Sequence, residues 1–138
     1  MNPITSFKGS YRYLSNFYIE PDGTHVEGEY QTEKCKDSSE RILFEGLLPA
    51  EAKKFGRTVE LRPDWEEIKL TVMRGLVLRK FKDHPVLAEK LVKTGGVEIV
   101  EGNYWGDKFW GKVFGGQGEG QNWLGRILME TRDKLRNV

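Results

Sequence analysis

A short polar stretch, HVEGEYQTEKC at residues 25–35, carries side chains that could do chemistry together. On a helix, side chains three, four and seven positions apart share one side, and that side would carry Glu27, Tyr30, Gln31 and Lys34. Glu27 and Lys34 are roughly 10 Å apart along the axis, too far for an ordinary helical ion pair, so each can reach a third group. Tyr30 can offer a bound ligand an aromatic surface for packing and a hydroxyl for hydrogen bonding. The stripe is therefore either a solvated helix face or one side of a site.

A second informative region, EGNYWGDKFWGKVFGGQGEGQNWLG at residues 101–125, holds three of the four tryptophans and a buried-looking acid, Asp107. One interpretation is a hairpin or meander with glycine turns and core aromatics. The other is a nucleotide site in which Trp105 and Trp110 stack on a planar base. The glycines of GGQGEG would then let backbone N–H groups approach a phosphate, beside the start of the last helix.

The remaining reactive side chains carry weaker signals. Arg57 and Arg62 flank TVEL. They are either surface charges or guanidinium groups that bind a phosphate through two hydrogen bonds. His25 and His84 are typical of turns and helix boundaries, and Cys35 is expected to be a small core residue. Two histidines and one cysteine without ligand spacing argue against a protein-built metal site.

Composition limits the class of protein. The 138 residues include 22 basic and 21 acidic side chains, which give a net charge of +1. No run of five or more like charges indicates a segment that binds nucleic acid or anionic lipid. The size fits one domain over residues 1–138. The polar start lacks a signal peptide, a lone cysteine cannot form an internal disulfide, and no apolar stretch approaches about 20 residues. We therefore expect a soluble, cytoplasmic protein with no membrane contact.

Periodicity predicts the elements that must position these side chains. Residues 5–20 alternate partly and indicate a strand that enters a loop at 15–16. Thr24 should cap a helix over 26–38, and a short helix over 50–55 should end at Gly56 in a left-handed conformation.

The second half of the chain carries clearer helical patterns. They predict helices over 65–81, 86–93 and 123–135 and a short strand over 97–101. The fold class is therefore α+β, a compact and mainly helical domain with a few short strands.

Several motifs together resemble one known family. They are LSNF (14–17), VEGEYQTEKC (26–35), FGRTVELRPDWEEIKLTVM (55–73), HPVLAEKLVKTG (84–95), IVEGNYWGDKFWG (99–111) and GQNWLGRILMETR (120–132). Their order and content resemble the NADAR family, also called YbiA-like, over nearly the whole chain.

This resemblance implies an enzyme, an N-glycosidase that hydrolyses the bond between a ribose C1 and a nitrogen. Family members act on phosphoribosylamino intermediates of the riboflavin pathway or on ADP-ribose attached to guanine in DNA or RNA. The implied partner is thus a phosphoribosyl or ADP-ribosyl small molecule, or an ADP-ribosylated nucleic acid, and no cofactor or metal is required.

The resemblance also implies site residues. The catalytic positions are Glu27, Lys34 and Asp107, with Lys34 as a covalent or proton-transferring group. The substrate-binding positions are Ser15, Asn16, Phe17, Tyr30, Gln31, Arg57, Arg62, Trp65, Trp105, Trp110, Gly111, Asn122 and Trp123.

Two alternatives remain open at the level of sequence. The chain has Gly28-Glu29 where the family commonly has a histidine and an aromatic, so either Glu27 or Glu29 could face the pocket; helix geometry favours Glu27. The same pocket could also belong to a binding module that recognises ADP-ribose or a nucleotide without cleaving it. Retention of both Glu27 and Lys34 favours the enzyme, because stacking and phosphate binding need neither.

Overall fold

The computed structural model describes residues 2–137, and this part of the chain is mainly helical. Its α-helices are α1 (Val26–Glu33), α2 (Ser38–Arg41), α3 (Pro49–Phe55), α4 (Trp65–Asp83), α5 (Pro85–Lys93) and α6 (Trp123–Arg136). Short 3-10 helices form at Gly9–Leu14, Ile42–Phe44 and Phe114–Gly116.

Strand pairing within residues 2–137 is limited to isolated bridges, which join Ile4 to Ile99, Cys35 to Leu61 and Gly102 to Lys112. The predicted helical character is therefore confirmed, whereas the predicted strands reduce to single bridges. In the described range no helix combines the length and apolarity needed to cross a bilayer.

Contacts divide the chain into two compact units. One is Asn16–Lys80, and the other combines the residues up to Ser15 with those from Phe81 onward. The single domain expected over 1–138 stays a prediction, and each unit is described by itself.

In the unit Asn16–Lys80, α1 packs on α3. A small core of Cys35, Phe44, Ala52 and Val59 lies beneath them, with the rings of Phe44 and Phe55 at 4.9 Å between centroids. Cys35 is fully buried and is therefore a core side chain, as its sequence context indicates, and this burial raises the pKa of its thiol.

The first turn of α1 is capped by His25 rather than by the predicted Thr24. His25 Nδ1 accepts a hydrogen bond from the Gly28 backbone N–H at 2.9 Å, and its Nε2 lies 2.9 Å from the carbonyl of Leu47. Thr24 instead bonds to Asp22 through its hydroxyl.

Helix α1 is also shorter than the predicted 26–38 and ends at Glu33. The chain then becomes extended, because Cys35 pairs with Leu61 and the Lys36 N–H donates to the carbonyl of Glu60. Lys34 keeps helical dihedral angles as the C-cap, so it still projects from α1 in register.

A buried ion network joins the start of this unit to α4. The Glu20 side chain is fully buried and pairs with Arg79 at 3.1 Å, and Arg79 also pairs with Glu29. Lys80, 1% exposed, lies 5.3 Å from the Tyr18 ring centre. Burial lowers the pKa of Lys80 to about 7.

In the other unit, the predicted strand over residues 5–20 is wrong, because Gly9–Leu14 forms a 3-10 helix. Tyr13 and Leu14 are both buried although they are adjacent. A strand would have sent them to opposite faces, so alternation is not the pattern that burial follows here.

Helices α5 and α6 pack together in this unit and match their predicted positions. Pro85 opens α5 at its first turn, where a missing N–H costs nothing, and Gly95 follows its end with φ of +71°. The buried Arg132 of α6 donates to the Thr94 hydroxyl and the Val97 carbonyl, which ties the two helices to the segment between them.

The predicted strand over 97–101 is reduced to the pairing of Ile99 with Ile4. Hydrogen bonds of 2.8 Å run from the Ile4 N–H to Glu98 and from the Val100 N–H to Ile4. The hairpin considered for 101–125 is wrong, since Gly102 and Lys112 pair in parallel. A hairpin connection requires antiparallel pairing.

Candidate active site

The face of α1 predicted from residue spacing is largely buried. Exposed fractions are 8% for Glu27, 8% for Tyr30 and 6% for Gln31, while Lys34 is half-buried. A carboxylate and an amide are rarely removed from water on an ordinary surface helix. The alternative of a solvated face is therefore wrong, and the stripe is the strongest candidate for a site.

The environment of Glu27 shifts the pKa of its carboxyl group upward from the usual glutamate value. Burial raises its pKa, and this effect is opposed by a hydrogen bond from Gln31 Nε2 to Glu27 Oε2 at 3.3 Å. The positive charges of Lys53 and Lys34 also favour the carboxylate. The balance leaves a carboxyl group that can give or accept a proton nearer to neutral pH than an exposed glutamate.

Lys34 is shifted in the opposite direction. Burial lowers the pKa of its ammonium group, the charge of Glu27 raises it, and the nearby Arg57 lowers it. Among residues 2–137, no salt bridge occupies its amine. An amine with these properties is available as a proton donor or, when neutral, as a nucleophile.

Glu29 points to a different part of the molecule. Its carboxylate pairs with Arg79 in the buried network that also contains Glu20. Glu27 is therefore the carboxylate that shares a face with Tyr30 and Lys34, in line with the preference drawn from helix geometry.

Aromatic side chains flank this face within the same unit. The rings of Tyr30 and Trp65 are 5.0 Å apart at 56°, and Trp65 begins α4. Phe17 is more exposed, and Lys53 Nζ lies 5.8 Å from its ring centre. Asn16 precedes Phe17, and the Asn16 carbonyl accepts a hydrogen bond from the Glu27 N–H at 3.0 Å. This bond ties the segment around Asn16 to the first turn of α1.

The two candidate phosphate ligands differ in their availability. Arg62 makes a two-bond contact with Asp64, at 2.7 and 3.2 Å, so its fork is already occupied. Arg57 is exposed, and no carboxylate pairs with it in the range 2–137. Of the two, Arg57 is the guanidinium that can meet an incoming anion.

Asp107, in the other unit, organises a turn. Its Oδ1 accepts the backbone N–H groups of Phe109 and Trp110 at 3.0 and 2.8 Å. The buried Asn103 closes the same turn by exchanging hydrogen bonds with the Asp107 backbone. A catalytic role for Asp107 stays a prediction, and the contacts observed within its own unit are structural.

The phosphate loop suggested by GGQGEG is not available as proposed. The N–H groups of Gly115, Gly116 and Gly118 already donate to backbone carbonyls. At the start of α6, three further N–H groups donate to the carbonyls of residues 109–111. A phosphate would have to displace these bonds, and sequence alone does not reveal that they exist.

The other predicted ligands of this unit vary in exposure. Trp105 is 62% exposed, whereas Trp110 is half-buried and packs edge-on against Phe109 at 4.8 Å. Trp123 is half-buried, with its indole N–H bound to Gln121 and the Arg126 guanidinium 4.7 Å from its ring centre. These rings stay candidates for contact with a heterocycle.

Three further predicted ligands lie in positions with structural constraints. Both ends of the buried Asn122 amide are used, by the Ile99 carbonyl and the Glu101 N–H. A side chain at Gly111 would collide with the backbone of Glu101, which explains the glycine. Ser15 is half-buried and follows the 3-10 helix, where its N–H donates to Arg12. Substrate contact by these residues stays a prediction.

Lys53 is the site residue that the sequence interpretation missed. It projects from α3, its charge favours ionisation of Glu27, and it contacts Phe17. Nothing in the local pattern of α3 separates Lys53 from the exposed Lys54 beside it. Only the packing of α3 on α1 does so, and that contact is not local in sequence.

These features define a mainly helical protein whose candidate active site combines a buried glutamate, a half-buried lysine and flanking aromatic rings. Residues 7–136 match the model of the NADAR domain, and the chain belongs to the NADAR family. The resemblance drawn from the motifs is thereby confirmed.

Named relatives share most of the chain. An N-glycosidase of Nostoc punctiforme is 37% identical over 142 residues, which cover 93% of this chain and 88% of that protein. A riboflavin biosynthesis protein of Vibrio vulnificus is 40% identical over 136 residues, covering 90% of this chain and 35% of that longer protein. The NMR structure of the E. coli protein YbiA superposes with a TM-score of 0.83 at 33% identity, over 99% of this chain and 88% of that one.

Proposed function

We propose that this protein is an N-glycosidase that hydrolyses the bond between the ribose C1 and a nitrogen of a phosphorylated ribosyl heterocycle. The observation that carries the proposal is the pairing of a buried Glu27 with a half-buried Lys34 on one face of α1. Relatives named as N-glycosidases and as a riboflavin biosynthesis protein support the same reaction class.

The reaction places specific demands on the side chains. Cleavage of an N-glycoside builds positive charge on the ribose, so a carboxylate near C1 stabilises the transition state, and the departing nitrogen needs a proton. Glu27 meets the first demand as a carboxylate held by Gln31 and nearby cations. Lys34 meets the second as an ammonium group whose pKa is lowered by burial.

Lys34 also offers a covalent route. Its neutral amine bonds to C1 as the C1–N bond to the heterocycle breaks, and one amine proton passes to the departing nitrogen. The second amine proton passes to the ring oxygen as the ribose ring opens and an imine forms between C1 and Lys34. Water then hydrolyses the imine, which returns the free amine and the sugar aldehyde. The lowered pKa of Lys34 supports this route, because only the neutral amine is a nucleophile.

The surroundings suit the rest of such a substrate. Arg57 and Lys53 are cations beside the Lys34–Glu27 face and can bind phosphate. Tyr30, Trp65 and the more exposed Phe17 supply aromatic surface for a heterocycle. A free phosphoribosylaminopyrimidine and an ADP-ribosylated guanine both combine these chemical parts.

The direct test is incubation with two substrates, the phosphoribosylaminopyrimidine of riboflavin synthesis and an oligonucleotide carrying ADP-ribose on guanine, followed by mass spectrometry. We expect release of the free heterocycle or the unmodified guanine from one of them, and the preferred one identifies the substrate class. Binding of ADP-ribose without cleavage of either would contradict the proposal and favour a binding module.

A pair of glutamate variants tests which carboxylate acts. Glu27→Gln should lower turnover by about 10²–10⁴-fold without loss of fold, since an amide can neither stabilise charge nor transfer a proton. Glu29→Gln should keep turnover within a few-fold and lower thermal stability, because it weakens the pair with Arg79. Turnover and melting temperature measured side by side separate the two, and a fully active Glu27→Gln would contradict the assignment.

A further inference from the structure

Gly56 follows α3 and has no conformational reason to be glycine. Its φ of −59° and ψ of −18° are right-handed helical angles, which any residue adopts. The left-handed conformation predicted for this position is therefore wrong. Gly56 is also buried, so the explanation must lie in what surrounds it.

The space beside Gly56 is filled by the Gln31 side chain of α1. A Cβ built on Gly56 would overlap Gln31 Oε1, and it would stand 2.6 Å from Gln31 Cδ and 3.1 Å from the Ala52 carbonyl oxygen. Gly75 in α4 offers a contrast in the same unit, since a Cβ there meets nothing within 4 Å. A side chain at position 56 would thus have to displace the Gln31 amide, and it would also stand close to the Ala52 carbonyl.

That side chain contacts Glu27 on its other side. Gln31 Nε2 donates to Glu27 Oε2 at 3.3 Å, while Gln31 Oε1 is buried and accepts no hydrogen bond from any residue in the range 2–137. The amide is therefore not anchored at its oxygen by a donor. Its position is set by packing, with Gly56 on one side and the bond to Glu27 on the other.

We infer that Gly56 is a positioning residue, whose missing side chain makes the space that keeps the Gln31 amide on the Glu27 carboxylate. An added methyl group pushes the amide away, and Glu27 loses its neutral donor while remaining buried. Because the Gln31 bond favours the ionised carboxylate, its loss raises the pKa of Glu27 further. The effect on turnover rests on the proposed function, whereas the effect on Glu27 does not.

The experiment follows the Glu27 carboxyl carbon by NMR during a pH titration, with the signal assigned from Glu27→Gln. In Gly56→Ala we expect the titration to move to higher pH in the direction produced by Gln31→Ala, with the matched control Gly75→Ala unchanged. A Glu27 that titrates in Gly56→Ala as it does in the unmodified protein would overturn the inference.

A double variant keeps the test decisive if Gly56→Ala folds poorly. Gln31→Ala removes the group that the new methyl would meet, so the double variant should be at least as thermally stable as Gln31→Ala alone and should titrate like it. A double variant less stable than Gln31→Ala, or shifts that simply add, would show that Gly56 acts elsewhere.

Measurement of kcat then distinguishes the positioning role of Gly56 from the catalytic role of Glu27. We expect kcat to fall by about 10²-fold in Gly56→Ala, as for a small misplacement of a catalytic group, with a smaller change in KM. A shifted titration with unchanged kcat would keep Gly56 as a positioning residue and contradict the catalytic role of Glu27.

Discussion

Replacement of Lys34 by alanine should lower turnover by roughly four orders of magnitude and leave the fold intact. The amine is the group on the α1 face to which we assign the bond to C1 or the proton transfer, and it is half-buried, so its removal costs little packing. The measurement is single-turnover release of the heterocycle from the preferred substrate, with circular dichroism to confirm the helices.

A matched control is available two residues along the chain. Lys36 is exposed and pairs with Glu60, so Lys36→Ala should retain normal turnover. Reduction with borohydride during turnover should leave the sugar attached to Lys34 in the unmodified protein and in Lys36→Ala. Near-normal activity in Lys34→Ala would contradict both the covalent and the proton-transfer role.

The same lysine makes a prediction for pH. If its neutral form attacks C1, the rate of adduct formation rises as pH increases through the pKa of Lys34, which burial holds below the usual lysine range. Arg57 contributes to that lowering, so Arg57→Gln should move this rise to higher pH. A rise that moves to lower pH in Arg57→Gln would contradict the assigned group.

The second large effect concerns stability rather than chemistry. Arg79→Leu should reduce the free energy of unfolding by about 3–5 kcal/mol, because it leaves the fully buried Glu20 without its arginine partner. It also removes the pair with Glu29. Equilibrium denaturation with urea, read by circular dichroism, measures the change.

A pair on the same helix whose carboxylate lies in water provides the control for that loss. Lys69 pairs with Glu66 near the start of α4, and the Glu66 side chain is 77% exposed whereas that of Lys69 is 20% exposed. Glu66→Ala should therefore cost less than about 1 kcal/mol. Equal losses in Arg79→Leu and Glu66→Ala would show that burial of Glu20 adds nothing to the interaction.

Much of the helical fold could be predicted from sequence because its signals are local. Helix α5 begins at Pro85 and is followed by the left-handed Gly95, and α4 and α6 carry apolar residues at helical spacing. The predicted strand over 5–20 failed because its aromatic residues mimic alternation, while the chain buries the neighbours Tyr13 and Leu14 together.

The candidate site also has features that could be predicted from local sequence and features that could not. Spacing alone placed Glu27 and Lys34 on one face of α1, since that depends only on helix geometry. Burial of that face, the contribution of Lys53 and the steric role of Gly56 depend on α3, which packs on α1 from a later part of the chain. The hydrogen bonds from the N–H groups of residues 122–124 to the carbonyls of residues 109–111 also join separate segments of the chain, so they could not be predicted from local sequence.

The hydrogen bonds of the first turn of α6 affect how this helix and the loop before it unfold. Its leading N–H groups, at residues 122–124, are held by the carbonyls of residues 109–111 instead of by water. Helix ends usually fray because such groups have no partner within the helix. Here fraying would require release of the preceding loop as well, so helix and loop should behave as one cooperative unit in hydrogen exchange. The Asp107 turn belongs to that unit, because its oxygen holds the amides of two residues of the same loop.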